Sequence, residues 1–167
     1  RLIEGIKNKE SPDWLKNRLE KIGLRSINAV VDITNFLTYD RGRPLHAYNS
    51  DLISKDIGAR LAKVGEKIKA LDGKEYILDE ETCVIADNEK VLGIGGIIGG
   101  DEFGSELGTK NIFLESAYFD PIHIARTGRK LNINSDARFR FERGTDPNFV
   151  LEGLDIATEM ILDICGG

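Results

Sequence analysis

The sequence predicts an α+β fold, and three observations point to this class. Apolar residues recur at helical spacing within the first 40 residues. Residues 57–91 change to short β-rich runs separated by turn residues, and residues 111–119 form one strongly β-prone segment. With 167 residues, of which 41% are hydrophobic and 31% charged, the chain is long enough to form one domain with its own core.

The composition excludes several classes of protein. No apolar run approaches the ~18 residues that a membrane-spanning helix needs, so we expect no membrane partner. Cys83 and Cys165 are isolated and lack the spacing of a zinc site or a disulfide framework, which predicts a reducing, cytoplasmic setting and no bound metal. The chain starts at Arg1 rather than at a methionine, and we expect it to be a module of a longer polypeptide.

The charge is distributed unevenly along the chain. The net charge of −5 argues against a surface that coats nucleic acid in general. Residues 126–143 nevertheless contain a basic stripe, with six basic residues and only two acidic ones. This stripe either contacts a few phosphate groups or forms a solvated, salt-bridged face.

The first predicted helix follows Ser11, which we expect to cap it, with Pro12 at the first helical position and Asp13 beside it. Gly23 is expected to end this helix. Its buried stripe is predicted to contain Leu15, Leu19 and Ile22. Arg25 follows in a loop, where it would pair with an acidic side chain or reach a phosphate group.

Residues 28–49 contain the polar residues around which a site is predicted to form. Asn28 is the expected N-cap of a second helix, which ends at Gly42. This helix carries Thr34 and Asn35. A proline then prevents the helix from continuing and favours an extended segment that carries His46. The pattern therefore predicts a polar pair on a helix near an imidazole on the following strand.

The middle of the chain is predicted to be a sheet scaffold. Residues 59–64, 75–78 and 82–86 have the pattern of strands, and residues 71–74 have that of a hairpin turn. The glycine-rich segment VLGIGGIIGG, residues 91–100, matches neither the dinucleotide fingerprint nor a P-loop, because its spacing and its following residues differ. It predicts a bend in the sheet, which is either purely structural or a wall of a binding pocket.

Residues 111–119, NIFLESAYF, form a predicted strand with Glu115 in its middle. Alternation places Glu115 on the same face as Phe113 and Ala117, where a carboxylate needs a partner or a purpose. A salt bridge to an arginine is one interpretation, and a binding role is the other. Asp120 and Pro121 are then expected to begin a further helix.

The last part of the chain is predicted to combine a loop, a strand and a long helix. Residues 132–144, NINSDARFRFERG, have the pattern of a loop that leads into a strand, with Ser135 and Ala137 near its start. Asp146 and Pro147 are expected to begin the final helix. Its broad apolar face would pack in the core or against another part of the parent chain.

The residue types by themselves restrict the chemistry of any site. No nucleophile motif is present, and neither the two histidines nor the carboxylates have the spacing of metal ligands. An enzyme would have to position water and substrate with Thr34, Asn35, His46, Glu115 and glycine-rich backbone amides. Such a site suits only an activated substrate, such as an ester.

Six segments together resemble the central editing domain of the β subunit of bacterial phenylalanyl-tRNA synthetase. The similarity covers essentially the whole chain and keeps the order of the motifs. The segments are SPDWLKNRLEKIGLRSIN, VVDITNFL, RPLHAYN, LGIGGIIGG, NIFLESAYFDP and SDARFRFERGTDP. The resemblance implies a single editing and tRNA-binding domain over residues 1–167. It also implies a three-layer α+β fold with a β-sandwich core of unusual topology and flanking helices.

The resemblance implies a substrate pocket made of five residues. Glu115 would accept a hydrogen bond from the hydroxyl group of a mischarged tyrosine. Gly99 and Gly100 would form a wall of the pocket, and Ser135 and Ala137 would close it. Phenylalanine would bind poorly there, because the carboxylate would be left without a partner.

The resemblance implies catalytic and tRNA-binding roles for five further residues. His46 would line the ester end of the site, either as a general base or only as an orienting group. Thr34 and Asn35 would help to place the substrate and the attacking water. Arg25 and Arg138 would contact the tRNA.

The resemblance also implies partners and cofactors for the whole enzyme. Its α and β subunits would form an α₂β₂ heterotetramer that uses ATP and Mg to charge tRNA(Phe). This domain would need no cofactor and would hydrolyse tyrosine from the 3′ end of tRNA(Phe). The alternative is a non-catalytic module that binds tRNA or packs between subunits of the same enzyme, whereas the glycine spacing disfavours a nucleotide-binding domain.

Overall fold

A computed structural model describes residues 1–167 and confirms the α+β class. The helices are α1 (Asp13–Lys21), α2 (Ala29–Asp40), α3 (Pro121–Lys130), α4 (Asp136–Phe141) and α5 (Phe149–Cys165). The strands are β1 (Leu2–Ile3), β2 (Leu45–Asn49), β3 (Gly58–Leu61), β4 (Lys67–Lys69), β5 (Glu75–Ile77), β6 (Cys83–Ala86), β7 (Val91–Ile94), β8 (Ile98–Gly99) and β9 (Ile112–Ser116). None of the helices combines the length and apolar character that crossing a bilayer requires.

The chain divides into two compact units. Unit 1 consists of Arg1–Asp51, Ser105–Ala117 and Thr145–Gly167, and unit 2 consists of Leu52–Gly104 and Tyr118–Gly144. Unit 1 therefore contains β1, β2, β9, α1, α2 and α5, while unit 2 contains the other strands and helices. The single domain and its three-layer arrangement stay predictions.

Unit 1 is built on a three-stranded antiparallel sheet with the order β1-β9-β2. Helix α2 packs against α1, α5 and β2, and α5 also packs against β9. One face of the sheet contributes Ala47, Ile112 and Leu114 to a buried apolar cluster, which α1, α2 and α5 complete with residues such as Leu15 and Ile33. Strand β9 is the central strand and pairs with β1 on one side and with β2 on the other. This pairing fixes its backbone, and so the positions from which its side chains leave the face opposite to the core.

Asp32 connects the start of α1 to the start of α2. Its carboxylate is completely buried and accepts hydrogen bonds from the hydroxyl groups of Ser11 and Ser26, both at 2.5 Å, and from the backbone N–H of Ile27 at 2.9 Å. The prediction that Ser11 caps α1 is therefore wrong. Pro12 occupies the N-cap position instead. The Ser11 hydroxyl group donates to the Asp32 carboxylate, because a buried charge without a donor costs more than an uncapped helix N–H group.

The passage from α2 to β2 follows the predicted pattern. The Asn28 side chain accepts from the N–H of Val31 at 3.0 Å and caps α2, as predicted. Gly42 has a φ of +65°, a conformation that favours glycine, and the extended segment of β2 begins three residues later. Arg43 is 1% exposed and donates to the carbonyl oxygens of Ala117 and Asp146. These bonds fix the end of α2 beside the residues that follow β9 and precede α5.

Unit 2 contains a four-stranded antiparallel sheet, β3-β6-β7-β8, and a hairpin of β4 and β5. The predicted strands at 75–78 and 82–86 are confirmed to within one residue, as is the hairpin turn at 71–74. Only the first half of the strand predicted at 59–64 is confirmed, because β3 ends at Leu61. Residues 91–100 form the predicted bend, with β7 leading into β8. Asp120 caps α3 by accepting from the N–H of His123 at 2.8 Å, and Pro121 is its first residue.

The predicted strand within residues 132–144 is wrong, because these residues form the helix α4. The Ser135 side chain accepts from the N–H of Arg138 at 3.0 Å and so caps α4. Ion pairs at i,i+4 spacing, Asp136 with Arg140 and Arg138 with Glu142, support the helix. The alternation of arginine and phenylalanine resembled a strand, but local capping and charge pairing favour a helix.

Replacing Asp32 by alanine is expected to lower the free energy of unfolding by about 3 kcal/mol, because three donors lose their buried acceptor. The measurement is urea unfolding of the variant beside the wild type. Asp163→Ala is the matched control, since Asp163 is exposed on α5, and it is expected to change stability by less than about 0.5 kcal/mol. Equal effects of the two substitutions would contradict the role of Asp32.

Candidate functional site

The antiparallel pairing of β2 and β9 brings two of the predicted site residues together in unit 1. His46 lies directly opposite Glu115, and Tyr48 lies opposite Phe113. Side chains two residues apart share a face, so His46, Tyr48 and Glu115 lie on the sheet face opposite to Ala47 and Leu114. The predicted alternation along β9, with Glu115 and Phe113 on one face, is confirmed.

Glu115 pairs with a tyrosine rather than with an arginine. The hydroxyl group of Tyr48 donates to Oε2 of Glu115 at 2.8 Å. The salt bridge considered from the sequence is absent, since none of the ion pairs in the chain involves Glu115. The second oxygen, Oε1, accepts no hydrogen bond and is not fully enclosed by protein. The carboxylate therefore has one fixed oxygen and one oxygen that can accept a donor.

The electrostatics of Glu115 follow from its burial. Burial raises the pKa of Glu115 to about 7, against the smaller lowering effects of the Tyr48 hydrogen bond and of the N-terminal ammonium group of Arg1. Burial and the neighbouring carboxylate also raise the pKa of Tyr48, so Tyr48 remains a neutral donor. Near neutral pH, Glu115 therefore exists both with and without its proton.

His46 packs against Tyr48 and is neutral. The two rings have centroids 4.4 Å apart at an angle of 67°, which is an edge-to-face contact. Burial lowers the pKa of His46 to about 4, so the imidazole carries no charge at neutral pH. Its Nε2 atom is buried and has no hydrogen-bond partner. An unpaired buried nitrogen is a group that a substrate or a water molecule can satisfy.

Thr34 and Asn35 lie on α2, the helix that packs against β2. The hydroxyl group of Thr34 donates to the carbonyl oxygen of Val31 at 2.7 Å, and Thr34 is 6% exposed. Asn35 is half-buried. Thr34 is therefore bound to its own helix, and Asn35 keeps a partly exposed amide.

Gly99 and Gly100 lie in unit 2, at the end of the glycine-rich segment. Gly99 pairs with Gly93 in the antiparallel ladder of β7 and β8. A Cβ atom at Gly100 would lie 2.8 Å from the carbonyl oxygen of Leu92, so the backbone approach itself requires glycine there. Gly100 also donates from its N–H to Leu92 at 2.8 Å. Gly100 therefore has a structural reason to be glycine in addition to any binding role.

Ser135 joins the start of α4 to the glycine-rich segment within unit 2. Its hydroxyl group donates to the carbonyl oxygen of Ile97 at 2.5 Å, which places Ser135 beside the segment that carries Gly99. Ala137 follows in the first turn of α4 and is half-buried. Unit 2 therefore brings together four residues predicted for the substrate pocket, which are Gly99, Gly100, Ser135 and Ala137.

The two arginines predicted to contact tRNA differ in their surroundings. Arg25 is exposed in the loop between α1 and α2 and forms no ion pair. The side chain of Arg138 is only 12% exposed and is bound to Glu142 at 3.0 Å and to the carbonyl oxygen of Ile133 at 2.5 Å. It also fills the space beside Gly128, where a Cβ atom would clash with it. Arg138 thus has internal partners that stabilise α4.

The basic stripe is mostly a salt-bridged face. Arg143 pairs with Glu142 at 2.8 Å, and Lys130 pairs with Asp79. Arg126 and Arg129 on α3 are exposed and form no ion pair. Of the two interpretations of this stripe, salt bridging accounts for most of its charges.

Tyr48 was not predicted from the sequence as part of the candidate site. Tyr48 is 2% exposed and makes the one hydrogen bond that fixes Glu115. The signal was present in the segment RPLHAYN, because His46 and Tyr48 are two residues apart and must share a face in a strand. No group of histidine, cysteine and carboxylate side chains in the chain is arranged to hold a metal ion. The cluster of His46, Tyr48 and Glu115 offers hydrogen-bonding groups, and none of its three side chains is a serine or cysteine nucleophile.

A family model described as the B3/4 domain matches residues 1–166. The phenylalanine–tRNA ligase beta subunits of Nitrobacter winogradskyi and Paramagnetospirillum magneticum are 53% and 56% identical to this chain over 167 residues. Each match covers 100% of this chain and 21% of the relative, so the chain spans about a fifth of the length of the curated relatives that it matches.

A solved structure is also similar to the chain. It is an N-terminal fragment of the phenylalanyl-tRNA synthetase beta subunit from Pyrococcus horikoshii, with a sequence identity of 19% and a TM-score of 0.47. The match covers 68% of this chain and 36% of that chain.

Replacing Glu115 by glutamine is expected to stabilise the protein at high pH and to have little effect at low pH. The folded-state pKa of about 7 lies above the ordinary value of 4.5, so ionising Glu115 costs stability as the pH rises from about 4.5 through 7. Above pH 8 the gain should be about 3 kcal/mol. Urea unfolding between pH 4 and pH 8 measures it, with the exposed Glu159→Gln as control. A gain that is independent of pH would contradict this account.

Proposed function

The chain belongs to the B3/4 domain family, and from that premise we propose that it is the editing domain of a phenylalanyl-tRNA synthetase β subunit. The proposed reaction is hydrolysis of tyrosine that has been attached by mistake to tRNA(Phe). Water attacks the carbonyl carbon of the ester, the bond to the ribose oxygen breaks, and free tyrosine and the ribose hydroxyl group are released.

The free oxygen of Glu115 is the observation that supports this proposal. Tyr48 fixes one carboxylate oxygen at 2.8 Å and leaves Oε1 without a partner. The Tyr48 contact already joins a phenol to this carboxylate, and the phenol of a tyrosyl substrate would be a second donor of the same kind. Phenylalanine has no such donor, so its binding would leave a largely enclosed carboxylate oxygen unsatisfied.

The proposed selectivity has a clear physical purpose. A hydrophobic pocket built for phenylalanine rejects an added hydroxyl group by only about a hundredfold. A second site that hydrogen-bonds the hydroxyl group can reject the analogue without it by roughly 10⁴-fold. The first site tolerates the hydroxyl group of tyrosine, whereas Glu115 would bind it. The two sites together would therefore distinguish tyrosine from phenylalanine.

The catalytic role proposed for His46 is to orient groups. Its pKa of about 4 makes it a weak base, far from the value near the working pH that suits proton transfer. Its buried Nε2 is free to hydrogen-bond a water molecule or the substrate. We assign Asn35 and Thr34 to the same task, with the partly exposed amide of Asn35 as the group that contacts water or substrate. An aminoacyl ester is already activated, so a positioned water suffices.

Within unit 2 we propose a substrate-binding role for Gly99 and Gly100, as a wall, and for Ser135 and Ala137, which would close it. The bond from Ser135 to Ile97, at 2.5 Å, supports this grouping because it holds the start of α4 beside the glycine-rich segment. We further propose that Arg25, which is exposed and unpaired, contacts the tRNA. Arg138 would act there indirectly, by holding α4 in place.

The proposal includes the partners of the complete enzyme. The β subunit would join an α subunit in an α₂β₂ heterotetramer in the cytoplasm, and the charging reaction there would use ATP and Mg. The domain itself would act on the 3′ end of tRNA(Phe) that carries tyrosine and would need no cofactor. A single domain over residues 1–167, with the three-layer arrangement, is part of the same proposal.

A non-catalytic role in tRNA binding is the second candidate. The exposed and unpaired Arg25, Arg126 and Arg129 favour it, because free guanidinium groups bind phosphates readily. This role does not explain why a largely enclosed carboxylate keeps a free oxygen beside an unpaired imidazole nitrogen. The hydrolytic role accounts for both features.

Replacing Glu115 by alanine in the assembled enzyme is expected to remove the preference for tyrosyl over phenylalanyl ester. The ratio of the two kcat/KM values for deacylation should fall by at least about 100-fold. Charging of tRNA with phenylalanine should stay unchanged, and Glu152→Ala, an exposed glutamate on α5, is the matched control. Unchanged discrimination in the Glu115 variant would refute the role assigned to this carboxylate.

Replacing His46 by alanine is expected to lower kcat for tyrosyl-tRNA hydrolysis by about 10- to 100-fold without altering the slope of kcat against pH between 6 and 8. The reason is that a group with a pKa of about 4 does not change its charge in this range. Deacylation rates of the two proteins at several pH values provide the measurement. A titration near pH 7 that disappears only in the His46 variant would show that His46 transfers protons.

Discrimination between the two esters is expected to increase as the pH rises through about 7, because Glu115 then loses its proton and becomes a stronger acceptor. The Tyr48 hydrogen bond lowers the pKa of Glu115, so Tyr48→Phe should move the midpoint of this increase above 7. The ratio of the two deacylation rates removes the pH dependence that both esters share. A midpoint that is the same in wild type and Tyr48→Phe would show that Glu115 is not the titrating group.

A further inference from the structure

Helix α4 carries two phenylalanines with opposite environments. Phe141 is 3% exposed and packs edge to face against Phe119, with ring centroids 5.1 Å apart. Phe139 is 55% exposed and is not one of the buried core residues. Phe141 is therefore aromatic for packing in the core, whereas the ring of Phe139 lies at the surface.

Arg143 lies over the exposed ring of Phe139. The centre of its guanidinium group is 3.7 Å from the ring centroid, which is a close cation–π contact. Hydrogen bonds of 2.8 Å to the carbonyl oxygen of Phe139 and to Oε1 of Glu142 hold the guanidinium group in place. Phe139 and Arg143 therefore present two flat groups in a fixed arrangement, which we call the stacking surface.

The stacking surface borders an open pocket of about 460 Å³. Arg138 and Arg143 line this pocket together with the carboxylates of Asp136 and Glu142. The formal charges in the pocket cancel, so its chemistry does not favour an isolated phosphate group. Flat faces bordered by side-chain donors and acceptors, among them that of Asn134, suit a planar heterocycle with polar edges.

We propose that Phe139 and Arg143 bind an unpaired nucleobase of the RNA substrate by stacking. The proposal rests on the function proposed above, in which a single-stranded RNA end enters the editing site. Single-stranded RNA is bound by bases that stack on aromatic rings and on the planes of guanidinium groups. The pocket also contains Ser135, so the stacked base would lie next to a residue proposed for the substrate pocket.

Binding of uncharged RNA tests the stacking directly. The assembled enzyme is titrated with a hairpin RNA whose unpaired 3′ end carries 2-aminopurine at one position at a time, because stacking quenches the fluorescence of this base. We expect quenching at one position in the wild type. Phe139→Leu should remove it and weaken RNA binding about tenfold, and Phe139→Trp should restore both. Trp14→Leu is the control, since Trp14 is 46% exposed on α1.

Deacylation kinetics separate this inference from the proposed function. Phe139→Leu should raise KM for tyrosyl-tRNA about tenfold and leave kcat within about twofold. It should not change hydrolysis of a small tyrosyl ester that lacks the RNA. Quenching and KM that are unaffected in Phe139→Leu would overturn the stacking surface, even if the Glu115 variants support editing. Quenching that depends on Phe139 in an enzyme without deacylase activity would uphold the surface and reject the editing role.

A protein contact is the alternative use of such a surface. If Phe139→Leu left the quenching intact but released the α subunit during gel filtration, Phe139 would belong to a subunit interface and the proposal would be wrong. Retained assembly together with lost quenching is the expected result. Arg143→Lys keeps the charge but loses the planar group, and it should reduce the quenching about as much as Phe139→Leu does.

Discussion

The antiparallel register between β2 and β9 is the constraint on which the candidate site depends. It places His46 directly opposite Glu115. It also brings the hydroxyl group of Tyr48 within hydrogen-bonding distance of the Glu115 carboxylate. A shift by one residue would turn every side chain of β2 to the other face of the sheet. The packing of Ala47 and Leu114 in the core of unit 1 opposes such a shift, because the polar residues would then enter the apolar cluster. The core of unit 1 therefore determines the geometry of the site through the sheet.

The carboxylates of Asp32 and Glu115 differ in how many internal donors they have. Asp32 accepts three hydrogen bonds, connects the starts of α1 and α2, and has no contact left to offer a ligand. Glu115 accepts one, keeps a free oxygen, and has a pKa raised by burial. A carboxylate that is satisfied internally stabilises a fold, whereas one that is incompletely satisfied is held ready for a donor at some cost in stability. The number of internal donors thus separates Asp32, whose contacts are structural, from Glu115, for which we propose a binding role.

The sequence predicted features that depend on local chemistry. The Asn28 cap, the Asp120–Pro121 helix start and the hairpin at 71–74 each follow from residues that lie next to one another. The sequence misled where a distant or competing contact decides the structure. Ser11 donates to Asp32, which is 21 residues away in the sequence. In residues 136–141 the ion pairs at i,i+4 spacing stabilise the helix α4, although the sequence alternates as in a strand. Within the site, Glu115 and His46 were identified from type and resemblance. Tyr48 contacts both residues, and its contact with Glu115 could be found only from the register of the two strands. The two-residue period of a strand already placed Tyr48 on the same face as His46.

The properties of His46 indicate what the site has to achieve. An enzyme that needs a strong base usually keeps its histidine near a pKa of 7, for example with a carboxylate partner. Here the imidazole is enclosed, has a pKa lowered to about 4, and packs against Tyr48 instead. Because an aminoacyl ester hydrolyses readily once water is positioned, rate acceleration is the smaller demand and selection the larger one. In the proposed function, a neutral ring that packs against Tyr48 would serve selection, because it would support the contact of Tyr48 with Glu115 without adding a charge. The proposed site would therefore act mainly as a selective binding surface for a reactive substrate, in which recognition contributes more than proton transfer.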